Sequence, residues 1–593
     1  MTRQGEEGNT ELRPTPTHVV GQARRMGGFS SLAEGLDFAA RSEAGVNFHS
    51  SRGRLSAVLP YATLREQALV TAGRLRATGL EPGSRVALVA ETAPSFMIAF
   101  FACQYAGMLP CPVPLPMQIG GRASYITRVA GMLRAAQAHM LLAPAVLADT
   151  LREAADAAGV PLLDHDTLAQ LPETAGAIRP LGATDPAYIQ YSSGSTSAPK
   201  GILISQRAIM ANTTGILRHG MQAREDDRGF SWLPLYHDMG LVGFFLSPVM
   251  GQASVDYMAT ADFAKRPTLW LQLMSRNGCT TCYAPSFGYE LAARRINGKA
   301  AELDLSRWRI AGIGGDMVRP EVLDAFAQAL APAGFDPRAF LPSYGMAEMS
   351  LAVSFAALDA PMRTDVVDRE AARNEGVARP ATPDEAHART FVSCGRVLPG
   401  HALKVVDDEG NELPERHIGH ILVKGPSMMS GYFGNPEATA AVMRDGGFLD
   451  TGDLGYMVDG EIYITGRSKD MILHHGRNIW PQDIEWAVER LPGLRSGDAA
   501  AFGVEREDGT ERIVVLVQCR KRDPLAQEEL RRSVAKVVHE VAGAECDVVL
   551  VAPRSLPLTS SGKLARNQAR EMYLKGEMPP CEVATLKEAA PAA

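Results

Sequence analysis

YSSGSTSAPKG, residues 191–201, lies between two β-like segments, and small hydroxyl residues surround Gly194. A loop of this composition lets backbone N–H groups converge on an anion, and Lys200 adds a charge that phosphates favour. The stretch is not a Walker loop, because a proline precedes Lys200 and a glycine follows it. It therefore predicts a phosphate-binding loop of another kind rather than an ordinary Ser/Gly surface loop.

Upstream of this loop, strand and helix patterns alternate. A helical stretch covers 63–78, a short apolar strand covers 86–90, and the run FMIAFFACQYAGM covers 96–108. The last run is shorter than the roughly 20 residues that span a bilayer, so it predicts a core helix rather than membrane insertion. The alternation predicts an α/β fold in which helices cover a parallel sheet.

Downstream of the loop at 191–201, the pattern of predicted secondary structure changes twice. Short β-rich segments with Asp-Gly and Glu-Gly turns begin near Val397, and a helix, strand, helix, strand order follows Gly466. We therefore predict a large N-terminal domain over 28–466, with parallel-sheet α/β subdomains and a β-rich subdomain, and a small mobile α+β domain over 467–577. Residues 1–27 and 578–593 lack periodicity and are predicted to be loose.

Composition excludes several functions. The 593 residues carry a formal net charge of −7, so no basic excess suits nucleic acid. The 8 cysteines are scattered and no signal-peptide pattern opens the chain, which favours the cytoplasm. Cys279 and Cys282 have metal-finger spacing, but no second pair follows at finger distance, and TTCYAP is typical of a buried strand.

Further motifs follow in a fixed order along the chain. WLPLYHDMGLVG at 232–243 sets a histidine in an irregular turn, and Tyr344 and Glu348 offer an aromatic face and a carboxylate. Thr451-Gly-Asp453 and Gly466-Arg467 supply an acid and a base suited to ribose hydroxyls, and Lys563 ends the flexible turn LTSSGK. Each motif alone is weak, but the order is specific.

This order resembles the adenylate-forming superfamily, from about Phe29 to about Tyr573. Within it, the chain is most similar to the fatty acyl-AMP ligases. That narrower likeness rests on WLPLYHDMGLVG, RPTLWL at 266–271, APSF at 284–287, FLPSYGMAE at 340–348 and SCGRVLPG at 393–400. The 45 residues between Glu348 and Cys394 are similar to the insertion of that subgroup. Gly312-Ile-Gly-Gly-Asp316 departs from the usual Asn-Gly-Ala-Glu-Pro.

The resemblance implies that ATP and Mg²⁺ activate a fatty acid as fatty acyl-AMP, with release of pyrophosphate. The implied catalytic residues are Lys563, which bridges the carboxylate and the α-phosphate, His237 near the carboxylate, and Glu348, which binds Mg²⁺ with Thr196. The implied nucleotide-binding residues are Ser192, Ser193, Gly194, Ser195, Thr196 and Lys200 at the phosphates, Gly315, Asp316 and Tyr344 at the adenine, Asp453 and Arg467 at the ribose, and Ser343, Gly345, Met346, Ala347 and Ile464 around them.

The resemblance leaves the acceptor open. In a long- or medium-chain acyl-CoA synthetase the small domain rotates about a hinge, here Lys469, and CoA takes the acyl group. In the fatty acyl-AMP ligases the insertion, here about 356–389, restrains this rotation, and the acyl group passes to the phosphopantetheine arm of a holo acyl carrier protein in polyketide or lipopeptide biosynthesis. We favour the carrier, as a separate chain because no Asp-Ser-Leu carrier signature is present. A non-catalytic adenylate sensor is a third hypothesis.

A basic cluster suggests where a carrier could dock. Arg520, Lys521 and Arg522 adjoin each other, and Arg531, Arg532 and Lys536 lie on a predicted helix. Carrier proteins are typically acidic, so long-range attraction would speed the encounter. The alternative is that these are ordinary solvated charges.

Overall fold

The computed structural model describes residues 12–17, 24–116, 121–173, 178–191, 199–385, 387–474, 477–505, 511–559 and 563–582. Within these ranges the largest sheet has nine strands and is mainly parallel, which confirms the predicted α/β class. Its spatial order is Arg396–Val397, Ala352–Phe355, Phe340–Gly345, Ile310–Ile313, Thr281–Ala284, Arg228–Ser231, Ser254–Met258, Gly45–His49 and Leu55–Pro60.

Further sheets flank this one. A parallel sheet contains Leu109–Val113, Arg85–Val89, Met140–Ala143 and Leu162–Asp164 in that order. An antiparallel sheet pairs Gly431–Tyr432, Gly201–Ser205 and Pro186–Tyr191. The β-rich subdomain consists of Ala402–Val406, Gly419–Lys424, Phe448–Val458, Met443–Arg444 and Glu461–Arg467.

Helices cover the sheets of the large domain. The apolar run becomes Pro94–Ala106, which is buried from Phe96 onward except at Ile98 and ends at Gly107 in the left-handed region (φ 72°), a conformation that glycine adopts without strain. The α-helices of this domain are Leu32–Ala39, Tyr61–Ala77, Pro94–Ala106, Gly121–Ala135, Ala148–Ala158, His165–Gln170, Gln206–Gly215, Ser247–Gly251, Thr260–Lys265, Pro267–Asn277, Ser286–Arg295, Pro320–Leu330, Arg369–Asn374 and Pro436–Val442. Two π-helical segments, Ile216–Gly220 and Met239–Leu246, continue directly from or into α-helices. Among the described residues, no helix combines the length and the apolarity that a membrane crossing requires.

The small domain has a hydrophobic core of its own. Its strands are Ile472–His474, Arg477–Ile479, Ala499–Glu505, Glu511–Gln518 and Cys546–Val551, and its helices are Pro481–Glu489, Pro524–Ala542 and Arg566–Leu574. The predicted hinge residue, Lys469, lies in the 3₁₀ turn Ser468–Asp470 between the two domains.

Both predicted loose ends are shorter than expected. Thr15 is buried, and its backbone N–H donates to Asn47 Oδ1 at 2.8 Å. At the other end, Ala552 N–H donates to Pro579 O and Cys581 N–H donates to Leu550 O. Within the segments 1–27 and 578–593, which the sequence predicts to be loose, residues 12–17 and 579–582 thus contain groups that hydrogen-bond to the rest of the chain.

The predicted insertion is an ordered hairpin. Strands Thr364–Asp368 and Ala388–Val392 pair in antiparallel register, and helix Arg369–Asn374 lies between them. Asp368 caps this helix by accepting from the N–H groups of Glu370 and Ala371.

Candidate active site

A cavity of about 1940 Å³ lies between the large and small domains. The predicted site residues that it collects, in the described part of the chain, are Lys200, His237, Gly315, Asp316, Ser343, Tyr344, Gly345, Met346, Ala347, Glu348, Asp453, Ile464, Arg467, Lys469 and Lys563. The remaining predicted residues, Ser192, Ser193, Gly194, Ser195 and Thr196, lie outside the described residues. Residues that are up to 363 positions apart in sequence therefore share one space.

One wall of the cavity carries a tyrosine, an aspartate and an arginine. The Tyr344 hydroxyl donates to Asp453 Oδ2 at 2.7 Å, and Arg467 Nε lies 3.2 Å from Asp453 Oδ1. Strand pairing sets this geometry, because Asp453 and Arg467 face each other across neighbouring strands. Burial and the nearby Asp453 charge raise the pKa of Tyr344, and Asp453 raises the pKa of Arg467. Tyr344 and Arg467 thus orient the Asp453 carboxylate from two sides.

Tyr432 links two predicted phosphate and metal residues. Its hydroxyl donates to Glu348 Oε1 at 3.0 Å, and Lys200 Nζ lies 4.8 Å from the centre of its ring. Burial raises the pKa of the Glu348 carboxyl. Tyr432 was missed in the sequence because it lies 84 residues from Glu348, and only the pairing of Gly431–Tyr432 with Gly201–Ser205 brings it into the site.

The irregular turn after Trp232 holds a histidine and an aspartate. His237 Nδ1 lies 2.7 Å from Asp238 Oδ1, and that carboxylate also accepts from Met239 N–H at 2.8 Å. Burial acts to raise the pKa of Asp238, but the His237 and Lys563 charges outweigh it and lower this pKa. Asp238 therefore orients the His237 ring, a role that the sequence pattern did not single out.

Lys563 enters the cavity from the small domain. Its backbone N–H donates to Thr559 Oγ1 at 3.1 Å, and its carbonyl accepts from Thr559 N–H at 2.7 Å. The ammonium reaches Gly315, where an added Cβ would lie 3.6 Å from Nζ. Burial lowers the pKa of Lys563, while Asp316, Asp238 and Asp453 oppose that shift. The small domain is thus docked with its lysine among three carboxylates of the large domain.

Apolar residues also line the cavity, among them Ile216, Met221, Gly243, Leu351 and Phe355. The two π-helical segments supply part of this lining. π-Helical turns are rare and occur often at functional sites, since the extra residue per turn widens the local backbone. Met239 also lines the cavity, and its side chain packs within 4 Å of where a Gly315 Cβ would lie.

The insertion clamps the small domain. Arg373 Nη2 donates to Asp483 Oδ2 at 3.1 Å, and Arg389 Nε lies 3.0 Å from Asp483 Oδ1. Arg373 also donates to Val541 O at 2.7 Å, and the Arg389 guanidinium lies 4.7 Å from the centre of the Trp480 ring. The three charged side chains are 2%, 6% and 6% exposed, so the charges are desolvated. We call this set the insertion clamp.

A second contact joins the domains at Arg319. Its Nη1 donates to Ser496 Oγ at 3.2 Å and lies 3.7 Å from Glu489 Oε2. The guanidinium stands 5.3 Å from the centre of the Trp486 ring. Burial, with Glu485 nearby, raises the pKa of Glu489 to about 8.

The predicted basic cluster is largely paired with acids. Arg520 contacts Asp498 at 2.5 Å, and Arg522 lies 3.4 Å from Glu582. On the following helix, Arg531 and Arg532 both contact Glu528, and Lys536 lies 3.8 Å from Glu540. The pairing reduces the attraction that this surface can exert on an acidic partner. Cys279 and Cys282 are buried free thiols, and among the described residues no cluster of metal-ligand side chains was found.

The chain is similar in sequence to known proteins. The family described as AMP-binding enzyme matches residues 51–433. A Caulobacter vibrioides protein, named provisionally as an acyl-CoA synthetase, is 49% identical over 569 residues, which cover 95% of this chain and 99% of the relative. Long-chain-fatty-acid–AMP ligase FadD26 of Mycobacterium tuberculosis is 33% identical, with 87% and 91% covered.

Two further matches extend the comparison. JamA of Moorena producens, named as a medium-chain-fatty-acid–acyl-carrier-protein ligase, is 32% identical, with 88% of this chain and 90% of the relative covered. A solved structure from a study of fatty acyl-adenylate ligases of E. coli and L. pneumophila superimposes with a TM-score of 0.90 at 43% identity. It covers 93% of this chain and 99% of that one.

Proposed function

The chain belongs to the AMP-binding enzyme family, as an acyl-adenylate-forming ligase of the fatty acyl-AMP ligase group, and from this premise we propose that it hands the activated acyl group to a holo acyl carrier protein. The second substrate would be the phosphopantetheine thiol of a separate chain. The observation that carries the proposal is the insertion clamp, because the resemblance to acyl-CoA synthetases implies that the small domain rotates before CoA takes the acyl group, and the clamp would oppose that rotation.

The first step joins a fatty acid to AMP. A carboxylate oxygen attacks the α-phosphorus of ATP, a new P–O bond forms, and the bond to pyrophosphate breaks. Negative charge gathers around the α-phosphate, so a fixed ammonium nearby lowers the barrier. We assign this role to Lys563, whose burial among Asp238, Asp316 and Asp453 supports it.

We assign the nucleotide to the wall of Tyr344, Asp453 and Arg467. Asp453 accepts hydrogen bonds from the ribose hydroxyls, Arg467 holds that carboxylate, and the Tyr344 ring stacks on adenine. His237, oriented by Asp238, lies beside the substrate carboxylate. The contacts of Tyr344 and Arg467 with Asp453 orient these side chains, and such preorganisation lowers the cost of ordering them on binding.

Magnesium fits the residues that remain. The Glu348 carboxylate is a hard oxygen ligand of the kind that Mg²⁺ prefers, and its second oxygen is free of the hydrogen bond that Tyr432 makes to Oε1. We propose Glu348 as a magnesium ligand together with Thr196. When bound, the ion would neutralise charge on the phosphates.

The acyl group then leaves AMP. The thiolate of the carrier attacks the acyl carbon, a thioester forms and AMP departs with the electron pair of the cleaved C–O bond. The printed name of JamA supports a carrier as acceptor. The name of the Caulobacter relative favours CoA instead, and CoA is therefore the second candidate.

One experiment separates the two acceptors. Pyrophosphate release is measured with hexanoic, dodecanoic and hexadecanoic acid, and the product of the best substrate is then trapped with CoA or with a panel of holo carrier proteins. We expect rapid thioester formation on a holo carrier and little acyl-CoA. Acyl-CoA formation at the rate of adenylation would refute the carrier proposal. An apo carrier, which lacks the thiol, is the matched control.

A further inference from the structure

The loop that lines the cavity at Gly315 and Asp316 ends at Arg319, directly before the next helix. The Arg319 backbone N–H donates to Ser286 Oγ at 3.4 Å, which fastens the end of the loop to its own domain. The Arg319 guanidinium contacts the small domain. One short loop therefore carries the groups that face Lys563 and a side chain that crosses the domain boundary.

Groups of both domains hold the Arg319 side chain, which is 13% exposed. On the large domain, Glu290 Oε2 lies 3.8 Å from Nη1 and Glu321 Oε1 lies 3.4 Å from Nε. On the small domain, Ser496 Oγ accepts from Nη1 at 3.2 Å, and the centre of the Trp486 ring lies 5.3 Å from the guanidinium. Carboxylates of its own domain thus orient the guanidinium, and a hydroxyl and an aromatic face of the other domain contact it.

The helix that carries Trp486 is also connected to Lys563. This helix, Pro481–Glu489, contains Glu485 one residue before the tryptophan. Arg566 Nε donates to Glu485 Oε1 at 2.7 Å, and Arg566 Nη2 donates to Glu485 Oε2 at 2.6 Å. Arg566 follows Lys563 by three residues. Because a bidentate pair of this kind fixes geometry as well as distance, we expect the helix and the lysine to keep their relative position.

Docking of Lys563 has a cost that other contacts must offset. Burial lowers the pKa of this lysine, which means that its charged form loses hydration in the docked position. Asp316, on the loop that ends at Arg319, opposes this shift, but burial outweighs it. Contacts at the same domain boundary that leave the ammonium unpaired, such as those of Arg319, can offset this cost.

We propose that Arg319 is a positioning residue for adenylation, because it seats the helix of Trp486 on the large domain and thereby keeps the Lys563 ammonium in the cavity. This inference rests on the proposed role of Lys563, and not on whether a carrier or CoA accepts the acyl group. The insertion clamp holds the same helix near its start, at Asp483, whereas Arg319 holds it near its end. Of the two, Arg319 lies in the loop that faces the lysine, so we expect its loss to act on the first step.

The experiment measures pyrophosphate release by the full-length enzyme at saturating ATP, with whichever of hexanoic, dodecanoic and hexadecanoic acid the wild type adenylates fastest. For Arg319→Ala we expect kcat to fall by about 5–150-fold, the usual range for coupling between two sites, with the KM for ATP little changed. Arg319→Lys keeps the charge but loses the planar group over Trp486, so it should recover only part of the loss. Arg490→Ala is the matched control and should keep the wild-type kcat, because Arg490 crosses the same boundary to Glu321 but is 71% exposed.

A double-mutant cycle with Lys563→Ala separates positioning from general stability. If Arg319 acts through the lysine, adding Arg319→Ala to Lys563→Ala should lower release no further than Lys563→Ala alone. Equal losses in the two backgrounds would overturn the inference, and so would a wild-type kcat in folded Arg319→Ala. A raised KM for ATP at unchanged kcat would overturn it too, because Arg319 would then act at the nucleotide.

If Arg319→Ala does not fold, Trp486→Leu takes its place in the same cycle. It removes the aromatic face from the small domain, and we expect a fall in kcat that disappears in the Lys563→Ala background; a wild-type kcat would refute the inference. The two proposals can be told apart when they fail. Near-wild-type release in Lys563→Ala alone would refute the proposed role of the lysine and this inference with it, whereas a large loss there with a further equal loss from Arg319→Ala would refute this inference only.

Discussion

The insertion clamp can be opened by one nearly isosteric substitution, Asp483→Asn. The carboxylate of Asp483 is the shared partner of Arg373 and Arg389, and all three side chains are nearly excluded from solvent. Burial destabilises the charged form of these side chains. At Arg389 it lowers the pKa of the guanidinium to about 10. Asparagine keeps the shape and removes the charge, so both guanidinium groups would remain buried without a counter-ion.

Breaking a buried ion pair from one side costs about 3–5 kcal/mol. Both arginines regain water when the small domain moves away, so this cost falls on the docked arrangement alone. At 1.4 kcal/mol per tenfold, the equilibrium between docked and released small domain shifts by a factor of about 10² to 4 × 10³. We therefore expect Asp483→Asn to form acyl-CoA from a near-zero baseline while it still adenylates fatty acids.

The assay follows acyl-CoA and pyrophosphate in the same reaction. Arg373→Ala tests the clamp from the large domain, where the substitution cannot unfold the small domain. Arg379→Ala is the matched control, because Arg379 lies in the same insertion but its pair with Glu375 is about half exposed and worth little. If folded Asp483→Asn and Arg373→Ala make no more acyl-CoA than the control, the clamp does not restrain the small domain.

Three further predictions follow from the site. Lys563→Ala should lower fatty-acid-dependent pyrophosphate release by about 10²–10³ while ATP binding, followed by calorimetry, persists; near-wild-type release would remove Lys563 from the reaction. Because the pKa of Glu489 is raised to about 8, the folded protein keeps a proton that the unfolded chain releases above about pH 4.5. The free energy of unfolding should thus fall as pH rises from about 5 to 8, less steeply in Glu489→Gln, and parallel curves in urea titrations would contradict this. Lys521→Glu with Arg522→Glu should slow transfer to a holo carrier a few-fold at low salt and leave adenylation unchanged, since Arg522 is already paired; equal rates would exclude this surface from docking.

The sequence predicted best what local pattern determines. The run at 96–108 became the helix Pro94–Ala106 because continuous apolarity indicates burial on all sides, and Gly107 ends it. The order of motifs from Lys200 to Lys563 likewise marked residues that share the cavity, although strands and turns far apart in sequence carry them.

Contacts between distant segments were not accessible to the same reasoning. Arg373 and Asp483 lie 110 residues apart, and the polar composition of the insertion is equally typical of a solvated loop. Thr15 docks through hydrogen bonds that leave no hydrophobic period in the sequence. The basic cluster also depends on a distant contact. Its run of adjacent positive residues does not indicate that Arg520 pairs with Asp498, which lies 22 residues earlier in the sequence.

Tyr432 contacts two oppositely charged groups that the proposed reaction uses at the phosphates. If the Lys200 ammonium and the Glu348 carboxylate were in direct contact, they would neutralise each other. The ion pair would then have to break before either group could bind a phosphate or a cation. The ring of Tyr432 meets the Lys200 ammonium with its face and the Glu348 carboxylate with its hydroxyl. The ring thus lies between the two groups, and we expect that this keeps the Lys200 ammonium available to a phosphate and the Glu348 carboxylate available to a cation.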